Sequence, residues 1–162
     1  MPPPSYTRTG IGPWNYAGPG SEILFNNLTA EDVANEISMS RTVFKGTYLV
    51  VEGATDARLF GKFLVDDAKI IAACSKSNVK TAVDICVRRK DIGVLGIVDR
   101  DMDDMLGRRS SPPVFPTDGR DMECMIIRSG ALDAVLAEYG DAEKLRGIAG
   151  GSDGIRTRVA EA

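Results

Sequence analysis

Apolar residues along this chain cluster in short solid runs, separated by segments with helical spacing. Tyr48-Leu49-Val50-Val51 is such a run and stops at Glu52-Gly53. Residues Thr55 to Val65 carry Leu59, Phe60, Phe63 and Leu64 at the spacing of a helix face. Ile70-Ile71-Ala72-Ala73-Cys74 forms a second run. Asn78 to Arg89 predicts a helix with Val79, Ala82, Val83, Cys86 and Val87 along one side. Val94-Leu95-Gly96-Ile97-Val98 is a third run, ending at Asp99. A polar stretch with Arg and Pro covers 100–113, and Val114-Phe115 starts a fourth strand. Residues 121–128 and 131–139 have helical patterns. Upstream, Thr29 is a helix cap, Glu31 and Asp32 suit the positive end of the helix dipole, and Val33, Ala34 and Ile37 form the apolar stripe.

Strands alternating with helices predict an α/β fold, a mostly parallel sheet of about four strands flanked by helices. The runs are apolar throughout, as strands covered on both faces should be. In such sheets functional groups gather beyond the carboxyl ends of the strands. Glu52 lies just past the first run and Asp99 just past the third.

The flanks differ from this body. Residues 1–20 hold five of the eight prolines and four of the seventeen glycines, which excludes a stable helix or central strand there. They are expected to form an extended or flexible arm, with residues 21–149 as the folded domain. From Gly150, Gly-Gly-Ser-Asp-Gly reads as a linker, followed by the start of a helix over Ile155 to Ala162. Whether that helix is cut short or needs a partner stays open.

Composition narrows the chemistry. The chain has 162 residues, 20 Lys and Arg against 23 Asp and Glu, and a net charge of −3. A protein of that balance does not coat nucleic acid as a bulk polycation, so any such contact needs a local patch. It contains no histidine. Ser-His-Asp and Cys-His catalysis are therefore excluded. Cys74, Cys86 and Cys124 lack zinc-site spacing and read as buried thiols in a reducing compartment. No apolar run approaches the roughly 20 residues of a membrane span, and Met1-Pro2-Pro3-Pro4 does not open a signal peptide. The expectation is a cytoplasmic protein with no membrane contact.

The carboxylates concentrate in Asp99-Arg100-Asp101-Met102-Asp103-Asp104. Just after a strand the chain is extended or turning, so residues two apart can point the same way. Asp99, Asp101 and Asp103 can then share a hard divalent cation, which relieves their mutual repulsion. Glu52 is a further ligand or the proton-transfer group, and Gly53 permits a tight turn and close approach of a phosphate or metal. A solvated acidic loop is the plainer alternative. Lys76, in Ser75-Lys76-Ser77-Asn78, can reach a phosphate at a helix start, although a cap by Ser77 accounts for the same residues. Arg88-Arg89-Lys90 marks a helix C-terminus. Arg100, Arg108, Arg109 and Arg120 either hold a nucleic-acid backbone or balance local charge.

Leu49-Val50-Val51-Glu52-Gly53-Ala54-Thr55-Asp56, with Phe60, and Gly96-Ile97-Val98-Asp99-Arg100-Asp101 resemble the Toprim domain of topoisomerases, primases and OLD-type nucleases. Within that group they look most like the DUF4435 proteins, Toprim-like effectors of bacterial anti-phage defence that include the nuclease partner of PARIS systems. The resemblance covers about residues 29 to 130. It implies a Toprim-like Rossmannoid fold and a nuclease dependent on Mg²⁺ or Mn²⁺, with DNA or RNA as substrate and an ATPase sensor as partner. By the same resemblance Glu52, Asp99 and Asp101 are catalytic. The metal set is Glu52, Asp56, Asp99, Asp101 and Asp103, and Glu123 is an extra acidic residue. Asp56 fits equally a first-turn helix residue, and Glu123 an exposed helix carboxylate. Lys76 and Arg100 are the candidate substrate contacts. The competing functions are a non-catalytic Toprim-shaped binding module governed by a partner, and another D-x-D enzyme such as a phosphoryl or glycosyl transferase. The oligomeric state is not legible.

Overall fold

A computed structural model describes residues 28–160. The expected arm at 1–20 lies outside them. Four strands, β1 (Thr47–Val51), β2 (Ala68–Ala72), β3 (Val94–Val98) and β4 (Val114–Pro116), form one parallel sheet in the order β2-β1-β3-β4. Helices flank it, giving the α/β class that the strand and helix alternation predicts. β1 pairs with β2 from Thr47↔Ala68 to Val51↔Ala72, and with β3 from Tyr48↔Val94 to Val50↔Gly96. The chain separates into two compact units, Met1–Gly96 and Ile97–Ala162, with the division inside β3.

In the first unit, helix α1 (Ala30–Ser40) begins at Thr29 as its sequence indicates. The Thr29 hydroxyl accepts the Asp32 N–H, and the Asp32 carboxylate accepts the Thr29 N–H at 3.0 Å. This reciprocal cap satisfies two backbone donors that a helix start otherwise leaves open. Val33, Ala34 and Ile37 on α1 are fully buried. They face α3 (Lys76–Arg88), whose Val79, Ala82, Val83 and Cys86 are buried in turn. β1 supplies Tyr48, Val50 and Val51 to this core. Burying each Val or Ile side chain of this core stabilises the fold by about 1.5–3 kcal/mol.

The Arg41 side chain ties the amino ends of the strands together. Its guanidinium donates to the carbonyls of Gly46 and Ile92 and lies 4.6 Å from the Tyr48 ring centre. The Tyr48 hydroxyl donates to Ser40 Oγ at 2.6 Å, and Phe44 meets the Tyr48 ring edge-on. Gly46 has no room for a side chain, since a Cβ there would sit 2.0 Å from the Asp67 carbonyl oxygen.

Several details depart from the sequence reading. The helix expected over Thr55 to Val65 is α2 (Ala54–Phe60) and stops early. Gly61, a poor helix former, caps it, and Lys62 and Phe63 close tighter turns onto Leu59 and Phe60. Phe63 and Val65 are consequently exposed. Helix α3 starts at Lys76, and its cap is Ser75 rather than Ser77; the Ser75 hydroxyl accepts the Asn78 N–H at 3.1 Å. The strands are not uniformly buried, because β2 is an edge strand with Lys69 exposed, and Leu95 on β3 remains 37% exposed.

In the second unit, α4 (Met122–Arg128) and α5 (Ala131–Tyr139) match the predicted helices. Helix α6 (Ala142–Arg146) is short and was not expected. The glycine-rich stretch read as a linker is instead the first turn of α7 (Gly151–Ala160). Arg156 explains how α7 tolerates those glycines. It pairs with Asp133 and Asp153 and donates to the Ile127 and Ser129 carbonyls, so tertiary contacts override weak local propensity.

No helix among the described residues is long and apolar enough to cross a membrane.

Candidate active site

Glu52 follows β1 directly and is half-buried. Gly53 caps α2 in an extended conformation, with φ −129°. Its N–H donates to the Asp56 carboxylate at 2.9 Å. Asp56 thus has a helix-capping duty, which was one of its two expected roles. A Cβ on Gly53 would make only ordinary contact, 3.6 Å from Asp56 Oδ2. The turn after Glu52 therefore does not itself demand glycine.

Lys76 is the first residue of α3, beside the Ser75 cap. Asn78 in the same turn spends its side-chain amide on the Leu28 and Ala73 carbonyls, both at 2.8 Å. The start of this helix is thereby anchored to the end of β2.

In the second unit, Asp99 follows β3 and is half-buried, while Asp101 is exposed. Of the two courses expected just after this strand, extended or turning, the chain takes the turn. Asp101 adopts a left-handed conformation, φ +50°, which Asp tolerates better than most residues. The Asp103 N–H then bonds the Arg100 carbonyl at 3.0 Å, closing a turn. Among the described residues, no three Asp, Glu or Cys side chains converge as a ready-made metal cluster.

Arg100 is built into this loop. Its backbone N–H donates to the Thr117 hydroxyl at 3.1 Å, its Nε to the Thr117 carbonyl at 2.8 Å, and its Nη1 to Asp104 at 3.0 Å. Thr117 is buried, and its own hydroxyl donates to the Gly119 carbonyl at 2.9 Å. The Asp101 N–H bonds the Arg120 carbonyl at 2.6 Å. The loops after β3 and β4 are thus stitched together. Sequence reasoning missed Thr117; its only signal was the Thr-Asp-Gly turn composition after a short strand.

Asp121 caps α4 by accepting the Cys124 N–H at 2.8 Å. That bond holds its carboxyl below the usual carboxylate range, and Arg120 adds to the effect. The Arg120 guanidinium is in turn pushed up by Asp121, with a smaller pull from Asp101. Glu123 is exposed in the first turn of α4. The cysteines are not uniformly buried: Cys86 is buried, Cys124 intermediate and Cys74 exposed. Burial pushes the Cys86 thiol up to about 11, and it also raises Cys74. Cys124 is raised chiefly by its hydrogen bond with Asp121. None is favoured as a thiolate nucleophile at neutral pH.

The donors available for a cation are carboxylate oxygens, which suit Mg²⁺ or Mn²⁺ rather than a soft metal. Mg²⁺ is commonly held by one or two carboxylates, with waters and substrate phosphate completing its shell, so a protein cage of three or more is not a requirement.

No family model, curated protein or solved structure matches the chain.

Proposed function

We propose that this protein is a nuclease dependent on Mg²⁺ or Mn²⁺, hydrolysing phosphodiester bonds of DNA or RNA, of the Toprim-like kind found in anti-phage defence. The observation that carries the reading is the sheet register. β1 and β3 are neighbouring parallel strands, paired up to Val50↔Gly96, and each is followed at once by an acidic residue, Glu52 and Asp99. Carboxyl ends of adjacent parallel strands are where such folds assemble chemistry.

On this reading Asp99 and Asp101 hold the cation and Glu52 serves the same centre. The bound cation would polarise the phosphate and stabilise charge on the attacking or leaving oxygen. Glu52 takes or returns a proton through its carboxylate. Arg100, fixed by Thr117 and Asp104, sets the course of the loop that carries Asp99 and Asp101. Water is the preferred nucleophile over tyrosine. Tyr48 is buried with its hydroxyl bonded to Ser40, and Tyr6 and Tyr16 lie outside the described residues. Tyr139 is exposed at the end of α5. A nucleic-acid substrate and an ATPase sensor partner belong to the same proposal.

A second reading, a binding module without turnover, is favoured by one observation: the acids of the loop after β3 do not converge with others into a group of three among the described residues.

The test is incubation with Mg²⁺ or Mn²⁺ and tRNA, single-stranded and duplex substrates, beside Glu52→Ala and Asp99→Ala. Cleavage by the parent and its loss in both variants is the expected result. Cation binding without cleavage would favour the second reading. Cleavage retained in both variants would overturn the assignment of these residues.

A further inference from the structure

A cleft of about 370 Å³ opens beside the acidic turn, wholly within the second unit, with Arg100, Asp103, Asp104, Arg108, Arg109 and Ser110 in its lining. We infer that this cleft is a subsite for the phosphodiester backbone of a nucleic acid, with Arg108 and Arg109 as its phosphate ligands. The inference rests on the nuclease reading for the identity of the polyanion.

Local chain geometry makes the cleft. The Arg108 N–H donates to the Asp103 carbonyl at 2.8 Å, and the Gly107 N–H reaches the Asp104 carbonyl at 3.2 Å. Gly107 adopts φ +66°, the left-handed conformation glycine favours. This closure brings residues 108–110 back alongside the turn that carries Asp101 and Asp103.

The charges in the lining are not equivalent. Arg100 and Asp104 are paired at 3.0 Å and largely neutralise one another, and Asp103 adds one carboxylate against the two remaining arginines. Arg108 and Arg109 are exposed, and among the described residues neither guanidinium makes a hydrogen bond or ion pair. Two like charges lining one cleft repel each other, and an external anion relieves that repulsion. Their planar forks match two oxygens of a phosphate, and the Ser110 hydroxyl adds a neutral donor. Arg100 cannot swing freely, because Thr117 and Asp104 both hold it, so it forms a fixed wall. In a chain of net charge −3, a concentrated positive pair of this kind is the local patch that nucleic-acid contact needs. A strand held there would pass directly beside the turn bearing Asp99 and Asp101.

The experiment is fluorescence anisotropy on the full chain in EDTA, so that no cleavage intervenes. The probe is a labelled single-stranded oligodeoxynucleotide, and a labelled poly-glutamate peptide is the comparison. The R108Q/R109Q variant should bind the oligonucleotide roughly tenfold more weakly, and the slope of log affinity against log salt should fall by about 1.4, two single-strand contacts' worth. Each single variant should lower the slope by about half that amount. Both side chains are exposed, so an unchanged circular dichroism spectrum is expected. No binding by the parent chain, an unchanged slope in the double variant, or equal binding of poly-glutamate would each overturn the inference. An unchanged slope leaves the cleavage result for Glu52 and Asp99 standing. Absence of cleavage by the parent chain with Mg²⁺ or Mn²⁺ sinks the nuclease reading and leaves the binding result standing.

Discussion

Arg100 is held by Thr117 at two points, its backbone N–H on the hydroxyl at 3.1 Å and its Nε on the carbonyl at 2.8 Å. The residue next to Asp99 is thereby locked to the loop after β4. Thr117→Val keeps the shape but removes the acceptor for the Arg100 N–H and the donor to Gly119. The expected cost is about 1–3 kcal/mol, seen as a lower denaturant midpoint with an unchanged slope. An unshifted midpoint would show that Thr117 does not hold the loop.

Lys90, just past the Arg89 cap of α3, adopts a conformation suited to glycine, φ +62°. The Asp91 N–H reaches the Cys86 carbonyl and the Lys90 N–H the Val87 carbonyl, the paired bonds of a Schellman cap. Lys90→Gly should therefore stabilise the protein by roughly 0.5–1 kcal/mol, net of the greater freedom glycine gives the unfolded chain. Thermal unfolding measures this; a lower melting temperature would contradict it.

Gly53 is not required by its own backbone, and a Cβ there would meet nothing closer than 3.6 Å. Gly53→Ala should alter stability by less than about 1 kcal/mol. If substrate or cation approaches this backbone, cleavage should nevertheless fall by about tenfold or more, as a misplacement of about 1 Å can cost more still. Calorimetry beside the cleavage assay separates the two effects, and full activity in the variant would remove Gly53 from the site.

Glu36 is a half-buried acid, and desolvation raises its pKa, with Lys69 pulling the other way. Its charged form therefore destabilises the fold. Glu36→Gln should stabilise the protein at neutral pH. That gain should fade as pH falls through the raised pKa, where the parent residue takes up a proton. Unfolding curves from neutral to acid pH test the sign; a gain that grows toward acid pH would contradict it.

Much of the fold was legible because it rests on local pattern. The four runs became the four strands, and Thr29 and the Asp32 partner set the start of α1 as their spacing indicates. What escaped depends on contacts distant in sequence. Arg41 reaches Ile92, and Arg156 reaches Asp133; neither partnership has a local signature. The early stop of α2 followed from Gly61, after which Phe63 of the apolar stripe is left exposed while Leu59 and Phe60 stay half-buried. At the candidate site the strand-end placement of Glu52 and Asp99 was readable. The turn after Arg100 was not, since it depends on a left-handed Asp101 and on Thr117, 17 residues away from Arg100.

On the proposed nuclease reading, Glu52 and Asp99 serve one cation. Titration of the full chain with Mn²⁺, followed by electron paramagnetic resonance, tests it most directly. Glu52→Gln and Asp99→Asn should each weaken the same binding event by roughly tenfold or more, and the double variant should lose less than the two effects combined, as coupled residues do. Mn²⁺ affinity unchanged in Glu52→Gln, with the loss confined to Asp99→Asn, would contradict the claim.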